Sequence, residues 1–455
     1  MALFSFLRRI LSAPAAASVE PVRAADATGA FPVLLAAIEG EGGTTAAAAV
    51  QAALDGAEGL RLLTTSAGIG SVDDAEVVPA SLGKAVARAR ALAEAEGAAV
   101  VVAGQMIAPG QVRLRFIPGV VTADPAAGTW SVGDMLDVPI PLPPGGGGFI
   151  AACAAASMAL ATDEERRVRL GALRNALRDG ERLVHGDAAP LSGSAKAVAA
   201  VSYAAMLAEM GIRTHQQPVL DRAQQVLRAI VGKGAKAGQG LPPVVVAAAR
   251  LHLGAILADS GSRDGDPVRL EEAGHHFQAA AEVITGDALP DDNAALWTQY
   301  GRAMQRLSAL SGKTDHMKEA VQGYRLAAGI WTKGSNAERW AELQYGMATV
   351  LGQYGEFTGS VPVLDRAVTV FEAVAEVWTR ESNARRWAGL QNNIGACRFA
   401  QGKRSGDLPP LRDAAERFSR ALEVYVALNM TRNVHVTQKN IARVERLIAV
   451  QEGKG

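Results

Sequence analysis

Few of the side chains able to do chemistry in this 455-residue chain are spaced for it. Cys153 and Cys397 lie far apart and suit neither a disulfide framework nor a metal site, which needs closely spaced ligand pairs. His275 and His276 are adjacent, so on a helix they point about 100 degrees apart, and with no third ligand near they read as solvated surface. Gly68-Ile69-Gly70 follows a strand ending near Thr65 but lacks the third Gly and the Lys-Ser/Thr of a phosphate loop, so it reads as a flexible turn. No Ser/His/Asp set and no carboxylate pair has a defensible placement. The expectation is a protein with no catalytic residue, metal or cofactor. The alternative is a nucleotide or metabolite sensor, with its ligand at the strand ends of an N-terminal α/β domain near Gly68 to Ser71.

The elements that would position any site are mostly helical. Hydrophobic residues make up 49% of the chain and aromatics only 5%, so the apolar material is largely Ala, Val and Leu, which favour closely approaching helices. Net charge is +0, which gives no general drive towards nucleic acid. No run of about 18 apolar residues suggests a membrane-spanning helix. Arg166, Arg167, Arg169, Arg174, Arg178 and Arg182 share one helical stretch; interleaved Glu164, Glu165, Asp179 and Glu181 make a solvated face the expected reading.

Residues 1–28 read as an amphipathic helix and a Pro/Ala tether. Leu3, Phe4, Leu7, Ile10 and Leu11 form an apolar stripe accompanied by Arg8 and Arg9, a pattern suited to peripheral membrane contact through residues 1–12, partner docking, or a frayed terminus. The arginines interrupt the apolar run, unlike a secretory signal. The expected compartment is the cytoplasm, with the inner face of a membrane as the site of any contact.

Residues 29–138 read as an α/β domain. Strands are expected at Phe31–Ile38, Leu60–Thr65, Ala98–Met106 and Gln111–Ile117, with helices at Thr44–Leu54 and Ser81–Glu96 and a hairpin turn at Ala108-Pro109-Gly110. The order is βαβαββ, with a further strand at Thr129–Val132 after the turn Asp124-Pro125-Ala126-Ala127-Gly128. Val112, Leu114 and Phe116 alternate with Arg113 and Arg115, the pattern of a half-exposed antiparallel strand. Order and segments together, Gly59-Leu60-Arg61-Leu62-Leu63, Ala98 to Gly104 and Val112 to Phe116, resemble the TolB-like domain also found in FlgO-like proteins. That resemblance implies a non-enzymatic module joined to helical repeats. Residues 139–148, with Pro141-Leu142-Pro143-Pro144 and four glycines, read as a Pro/Gly linker, followed by a helical pair at 149–195.

Residues 196–450 carry a 47-residue period. One column reads Gly254, Gly301, Ala348, Gly395 and Ala442; others read Ala273, Ala320, Ala367, Ala414, then Phe277, Tyr324, Phe371, Phe418. An earlier copy, with Tyr203, Ala204, Gly211, Ala223 and Leu227, is three residues out of phase. Small residues at fixed helical positions admit a large residue from the next helix. The pattern resembles tetratricopeptide repeats, lengthened from the usual unit of about 34 residues, with Gly211, Gly261, Gly355 and Gly402 closing the first helix of a unit and Ser308 in that place once. The last helix, Val434 to Val450, reads as a solvating cap. The implied fold is an all-α superhelical solenoid after the α+β module.

In such solenoids the first helix of each pair lines a concave groove, and the resemblance places there Thr298, Arg302, Gln305, Arg306, Tyr345, Thr349, Gln353, Asn392, Lys439 and Arg443. Tyr, Asn and Arg suit an extended peptide or partner helix, and the four basic residues suit an acidic one. Trp331, Trp340, Trp378 and Trp387 recur along the axis, which favours packing between helices over a ligand cage. The function implied is a protein-interaction scaffold, with end-to-end self-assembly as a variant.

Overall fold

The computed structural model describes residues 30–121, 130–159, 163–185, 191, 193–232 and 238–453. The amphipathic stripe Leu3, Phe4, Leu7, Arg8, Arg9, Ile10, Leu11 and the turn Asp124–Gly128 lie outside the described residues. The chain divides into two compact units, one ending at Ala303 and the other beginning at Met304.

The first unit holds a five-stranded mixed sheet. Strands β1 (Phe31–Glu39), β2 (Leu60–Thr64), β3 (Val100–Ala108), β4 (Gln111–Pro118) and β5 (Met135–Pro139) lie in the order β2-β1-β3-β4-β5. β1 runs parallel to both β2 and β3, whereas β4 is antiparallel to β3 and β5. The apolar runs of β1 and β3 suit burial on both faces, and Val33, Leu34, Val100, Val101 and Val102 have no exposed surface. The β3–β4 hairpin turns at Gly110, whose φ of +68° is open to glycine at little steric cost. Helices α1 (Gly43–Leu54) and α2 (Ala80–Glu96) supply the crossovers between the parallel strands.

Two expectations fail at the C-terminal end of this sheet. The last strand is Met135–Pro139, not Thr129–Val132: Ser131 to Asp134 is a turn, in which the Asp134 carboxylate accepts from Ser131 N at 2.7 Å and Ser131 Oγ from Gly133 N at 3.0 Å. Residues 139–148 are no linker either, because Pro139 ends β5 and Gly146 already begins helix α3 (Gly146–Ser157). Glycine suits close packing there: a Cβ on Gly147 would meet Ala53 Cβ at 3.3 Å, and one on Gly148 would overlap the Asp179 carboxylate at 2.3 Å. Helix α3 is buried along nearly its whole length and packs on α1 and the sheet.

Helices α4 (Asp163–Val184), α5 (Gly193–Thr214), α6 (Gln217–Val231), α7 (Pro243–Asp264) and α8 (Pro267–Ala281) follow. On α4 the solvated-arginine reading needs one correction. Arg169 is buried, donates to Ala156 O at 3.2 Å and Met158 O at 2.6 Å, and pairs with Glu209 of α5. It thereby satisfies carbonyls at and just beyond the end of α3 that have no helical partner. Helices α5 and α7 close over the sheet edge: Ser202 Oγ donates to Met135 O at 2.8 Å, and a Cβ on Gly133 would fall 2.3 Å from Val244 O.

Helix α9 (Pro290–Ser311) contains the division between the units. Beyond it come α10 (Thr314–Ala328), α11 (Ala337–Thr358), α12 (Val361–Ala375), α13 (Ala384–Ser405), α14 (Leu408–Ala427) and α15 (Thr431–Glu452). The described helices pack in adjacent pairs along the chain, as in a helical solenoid. Helices α7, α9, α11, α13 and α15 begin at Pro243, Pro290, Ala337, Ala384 and Thr431, at constant 47-residue intervals, and α5 begins at Gly193, out of phase by three. The period read from side-chain type is thus the period of the helices themselves.

The glycines assigned to helix ends do something else. Each first helix continues three residues beyond Gly261, Ser308, Gly355 or Gly402, to Asp264, Ser311, Thr358 or Ser405. The residues in αL at the ends are Gly265, Gly312, Gly359 and Gly406, with φ between +65° and +80°. Gly261, Gly355 and Gly402 instead admit a leucine from the next helix. A Cβ there would approach Leu270, Leu364 or Leu411 to 3.0, 2.9 and 2.6 Å. Where Ser308 replaces the glycine, its hydroxyl turns back to Gln305 O at 2.8 Å. The expected small-large pairing also holds: Cβ atoms on Gly254 and Gly395 would meet Phe277 and Phe418 at 3.0 Å.

Turns between units repeat as closely as the helices. Thr332 N donates to Ser335 Oγ and Thr379 N to Ser382 Oγ, both at 3.0 Å, and Asn336 and Asn383 cap α11 and α13 by accepting from Arg339 N and Arg386 N. Trp331, Trp340 and Trp378 are buried and Trp387 half-buried. Each lies under a cation: Arg339 over Trp331 at 4.4 Å, Lys333 over Trp340 at 5.3 Å, Arg386 over Trp378 at 4.6 Å and Arg380 over Trp387 at 5.6 Å. Trp378 Nε1 also donates to Glu338 of α11 at 2.9 Å, tying the end of α12 back to the preceding helix.

Candidate functional site

Successive first helices of the second unit leave a trough between them. Thr349, Gly352, Gln353 and Glu356 of α11 face Asn393, Ala396, Cys397 and Ala400 of α13, over a floor of Leu364 and Phe371 from α12, around a cavity of about 140 Å³. The open space follows from residue size, since Gly352, Ala396 and Ala400 carry little or no side chain. Cys397 is in van der Waals reach of Gly352, with Sγ 3.0 Å from where a Cβ would stand. Burial pushes its thiol up to about 12, so it is held as a neutral thiol, not a nucleophile.

Polar atoms at the edge of the trough are linked. Thr349 Oγ1 donates to Tyr345 O at 2.8 Å, and Asn393 Nδ2 donates to the Tyr345 hydroxyl at 3.0 Å. The Tyr345 ring packs against Phe371 and Trp378, with centroids 5.7 and 5.5 Å apart. Burial raises its pKa above the ordinary tyrosine value, so the hydroxyl remains a proton donor. The neighbouring Asn392 is not part of the trough lining, and its Oδ1 is buried without a hydrogen-bond partner. A buried acceptor of this kind costs free energy until a donor reaches it.

Of the residues expected to line a groove, Thr349 and Gln353 line this trough, and Tyr345 stands at its edge through Asn393 and Thr349. Asn392 is half-buried beside Asn393, and Lys439 and Arg443 are exposed on α15. Gln305 is half-buried and accepts from the Tyr324 hydroxyl at 2.6 Å; Arg306 is exposed. Thr298 and Arg302 belong to the first unit. Arg302 is exposed, but Thr298 is buried, with its hydroxyl spent on Ala294 O at 2.7 Å. Thr298 therefore lines nothing, because only 2% of it is exposed; the back-bond to its own helix does not decide this, since Thr349 makes the same bond and still lines the trough. Asn393, Ala396 and Ala400 were missed; the gapless alignment marks the last two, as the 47-residue counterparts of Thr349 and Gln353.

The first unit concentrates its polar residues differently. Arg113 and Arg115 of β4, expected to face solvent, are buried under the segment that follows β2. Arg113 grips Asp137 of β5 through Nε at 2.7 Å and a terminal nitrogen at 2.6 Å, and reaches Asp74 at 2.8 Å. Asp74 also pairs with Arg115, which in addition reaches Met135 Sδ at 3.9 Å. Burial works against the charge of Arg113, but Asp137 and Asp74 outweigh it and its pKa is raised; for Arg115 burial dominates and its pKa is lowered. The covering segment is fixed along its length. Gly70 N donates to Glu39 at 3.3 Å, and the Gln105 side chain accepts from Val72 N at 2.8 Å and donates to Val72 O at 3.0 Å. The Gly68–Ser71 stretch is thus spanned by the chain's own side chains.

A second buried pair is Asp134 with His252 of α7, whose Nε2 lies 2.8 Å from Asp134 Oδ2. Neither residue stands out in the sequence, being separated by over a hundred positions. Cys153 is fully buried, and burial first, then the Asp134 charge, pushes its thiol well above the ordinary value. No protein-family model matches the chain, and no curated protein matches it.

Proposed function

We propose that the protein is a non-catalytic interaction scaffold, in which a partner segment lies along the trough between the first helices of successive pairs. The observation that carries this reading is the trough itself: an open channel between α11 and α13 whose lining sets Thr349, Gln353, Glu356 and Asn393 among small apolar residues. An extended peptide would supply backbone N–H groups for the Asn393 and Gln353 amides and small apolar side chains for the alanine-lined wall over Leu364 and Phe371. Exposed Lys439 and Arg443 on α15 favour an acidic partner. On this reading the pairs are a lengthened form of the tetratricopeptide repeat and the sheet module is TolB-like, with a peripheral membrane contact made through residues 1–12 and self-association as a variant. The thiols of Cys153 and Cys397, held neutral by burial, support the non-catalytic part.

Affinity capture with the full chain tests the proposal. Ala396 is exposed, so Ala396→Arg blocks the trough without disturbing the core. A specific partner is expected to bind the wild type and to lose at least tenfold in affinity to this variant. Equal binding by Ala396→Arg and the wild type would remove the trough as the binding surface.

A further inference from the structure

The second unit holds another cleft. Between α10 and α11, Met317, Val321, Val350, Leu351 and Tyr354 enclose a cavity of about 490 Å³. That is in the size range of small-ligand sites, roughly 300–1,000 Å³, and its walls are mostly apolar, as such sites require. The exposed ring of Phe357 extends the wall, because Val350, Tyr354 and Phe357 fall on one face of α11.

One repeat further on, part of the wall turns polar, while Leu364, Val368 and Cys397 keep the places of Met317, Val321 and Val350 apolar. The counterparts of Lys318, Leu351 and Tyr354 are Asp365, Arg398 and Gln401. Gln401 donates to Asp365 at 2.7 Å, Arg398 pairs with Asp365 at 3.3 Å, and its Nε lies 3.0 Å from Asp413. The counterpart of Phe357 is Arg404. The repeat therefore tolerates an apolar or a polar lip at these places: Met304, Leu307 and Leu310 stand one repeat before Leu351, Tyr354 and Phe357, and Arg398, Gln401 and Arg404 one repeat after.

At its mouth stands Lys318. The ammonium lies 2.9 Å from Asp315, but the two side chains are 65% and 80% exposed, so the pair is worth little and readily exchanged. Glu319 lies on the same turn, so Lys318 stands between two carboxylates; a ligand anion must take the place of Asp315 on the ammonium, and a doubly charged phosphate would meet more repulsion there than a carboxylate. We propose that this cleft is a binding site for a monoanionic amphiphile, with an acyl chain against Val321, Val350 and Leu351 and a carboxylate at Lys318. The site is independent of the trough, since it lies between different helices and shares none of its lining residues.

The test is titration of the full chain with laurate below its micelle concentration, with dodecanol as the uncharged comparison. Saturable binding of one laurate per chain is expected. Lys318→Glu, a surface change, should weaken laurate at least tenfold and dodecanol less than twofold. Leu351→Arg places the residue type of Arg398 in the cleft and should abolish binding of both. Because Leu351 is buried, Phe357→Arg on the exposed lip is the second variant, expected to weaken both ligands severalfold. Absence of saturable laurate binding overturns the site. Laurate affinity unchanged in Lys318→Glu overturns the role of Lys318, and affinity unchanged in Phe357→Arg and in a folded Leu351→Arg overturns the location.

Discussion

The sheet module and the second unit solve the same problem, burying a large apolar surface, with opposite use of charge. In the module, Arg113, Arg115, Asp74 and Asp137 are held inside, and Asp134 is sealed against His252. In the second unit the ion pairs stand at the surface, such as Arg380 with Glu423 and Arg412 with Glu452, and the interior is built from a glycine or alanine facing a leucine or phenylalanine. A buried charge network has one arrangement in which every partner is matched, so it fixes a single geometry. A small-to-large contact depends only on volume and can be copied unchanged along a chain. The module is therefore specified by unique contacts and the repeats by an iterated one.

Removing one partner tests this contrast most severely in the module. Asp74→Ala removes the carboxylate paired with buried Arg115, and loss of one side of a buried ion pair costs about 3–5 kcal/mol. Urea unfolding of the full chain should show the transition of the first unit moved to markedly lower denaturant, with that of the second unit unmoved. An unmoved first transition would mean that the network contributes little to the module.

A smaller effect separates the two kinds of glycine in the repeats. Gly402→Ala would put a methyl 2.6 Å from Leu411 in a packed interface, for which overpacking costs about 1–3 kcal/mol, less the gain in helix propensity of up to about 1 kcal/mol. Gly265→Ala meets nothing within 4 Å and bears only the αL backbone cost of about 1–2 kcal/mol. A leucine pair, unbranched at Cβ, sharpens the difference. Thermal unfolding should show Gly402→Leu far more destabilised than Gly402→Ala, and Gly265→Leu close to Gly265→Ala; equal increments at both sites would return Gly402 to the role of a helix end.

The smallest effect is on pH. The folded Cys397 thiol is pushed up to about 12 by burial, and Cys153 is raised as well. Their contribution to stability is complete below the unfolded thiol value of about 8.5 and is lost as pH rises from there towards 12. The unfolding midpoint should therefore decline between pH 8 and pH 10, and less so in a Cys153→Ala, Cys397→Ala double variant. An identical decline in both proteins would assign the alkaline loss to other groups.

These contrasts also explain what could be read without coordinates. The 47-residue period is visible because every copy repeats the same local volumes, and it locates the first-helix starts from Pro243 to Thr431. Alternation in β4 places Arg113 and Arg115 on one face, but whether that face meets water depends on Asp74, some forty residues away. Similarly, Pro141 to Gly148 reads as a break because proline and glycine usually are, whereas Gly147 lies against Ala53 of a distant helix. In the trough, the places of Thr349 and Gln353 follow from the repeat, while Thr298 is only 2% exposed, a burial that its own helix does not announce. Distance in sequence, not subtlety of chemistry, separates what was legible from what was not.

The matched turns at Thr332–Ser335 and Thr379–Ser382 have a consequence for how such a chain changes length. Excising residues 337–383 would join Asn336 to Ala384, so an asparagine preceded by the same Thr-and-Ser turn would still cap an alanine-initiated helix. The new junction would be chemically equivalent to the two it replaced. Slippage between tandem copies of the coding sequence could then lengthen or shorten the protein in whole-repeat steps without inventing a loop, giving descendants with reaches that differ by fixed increments.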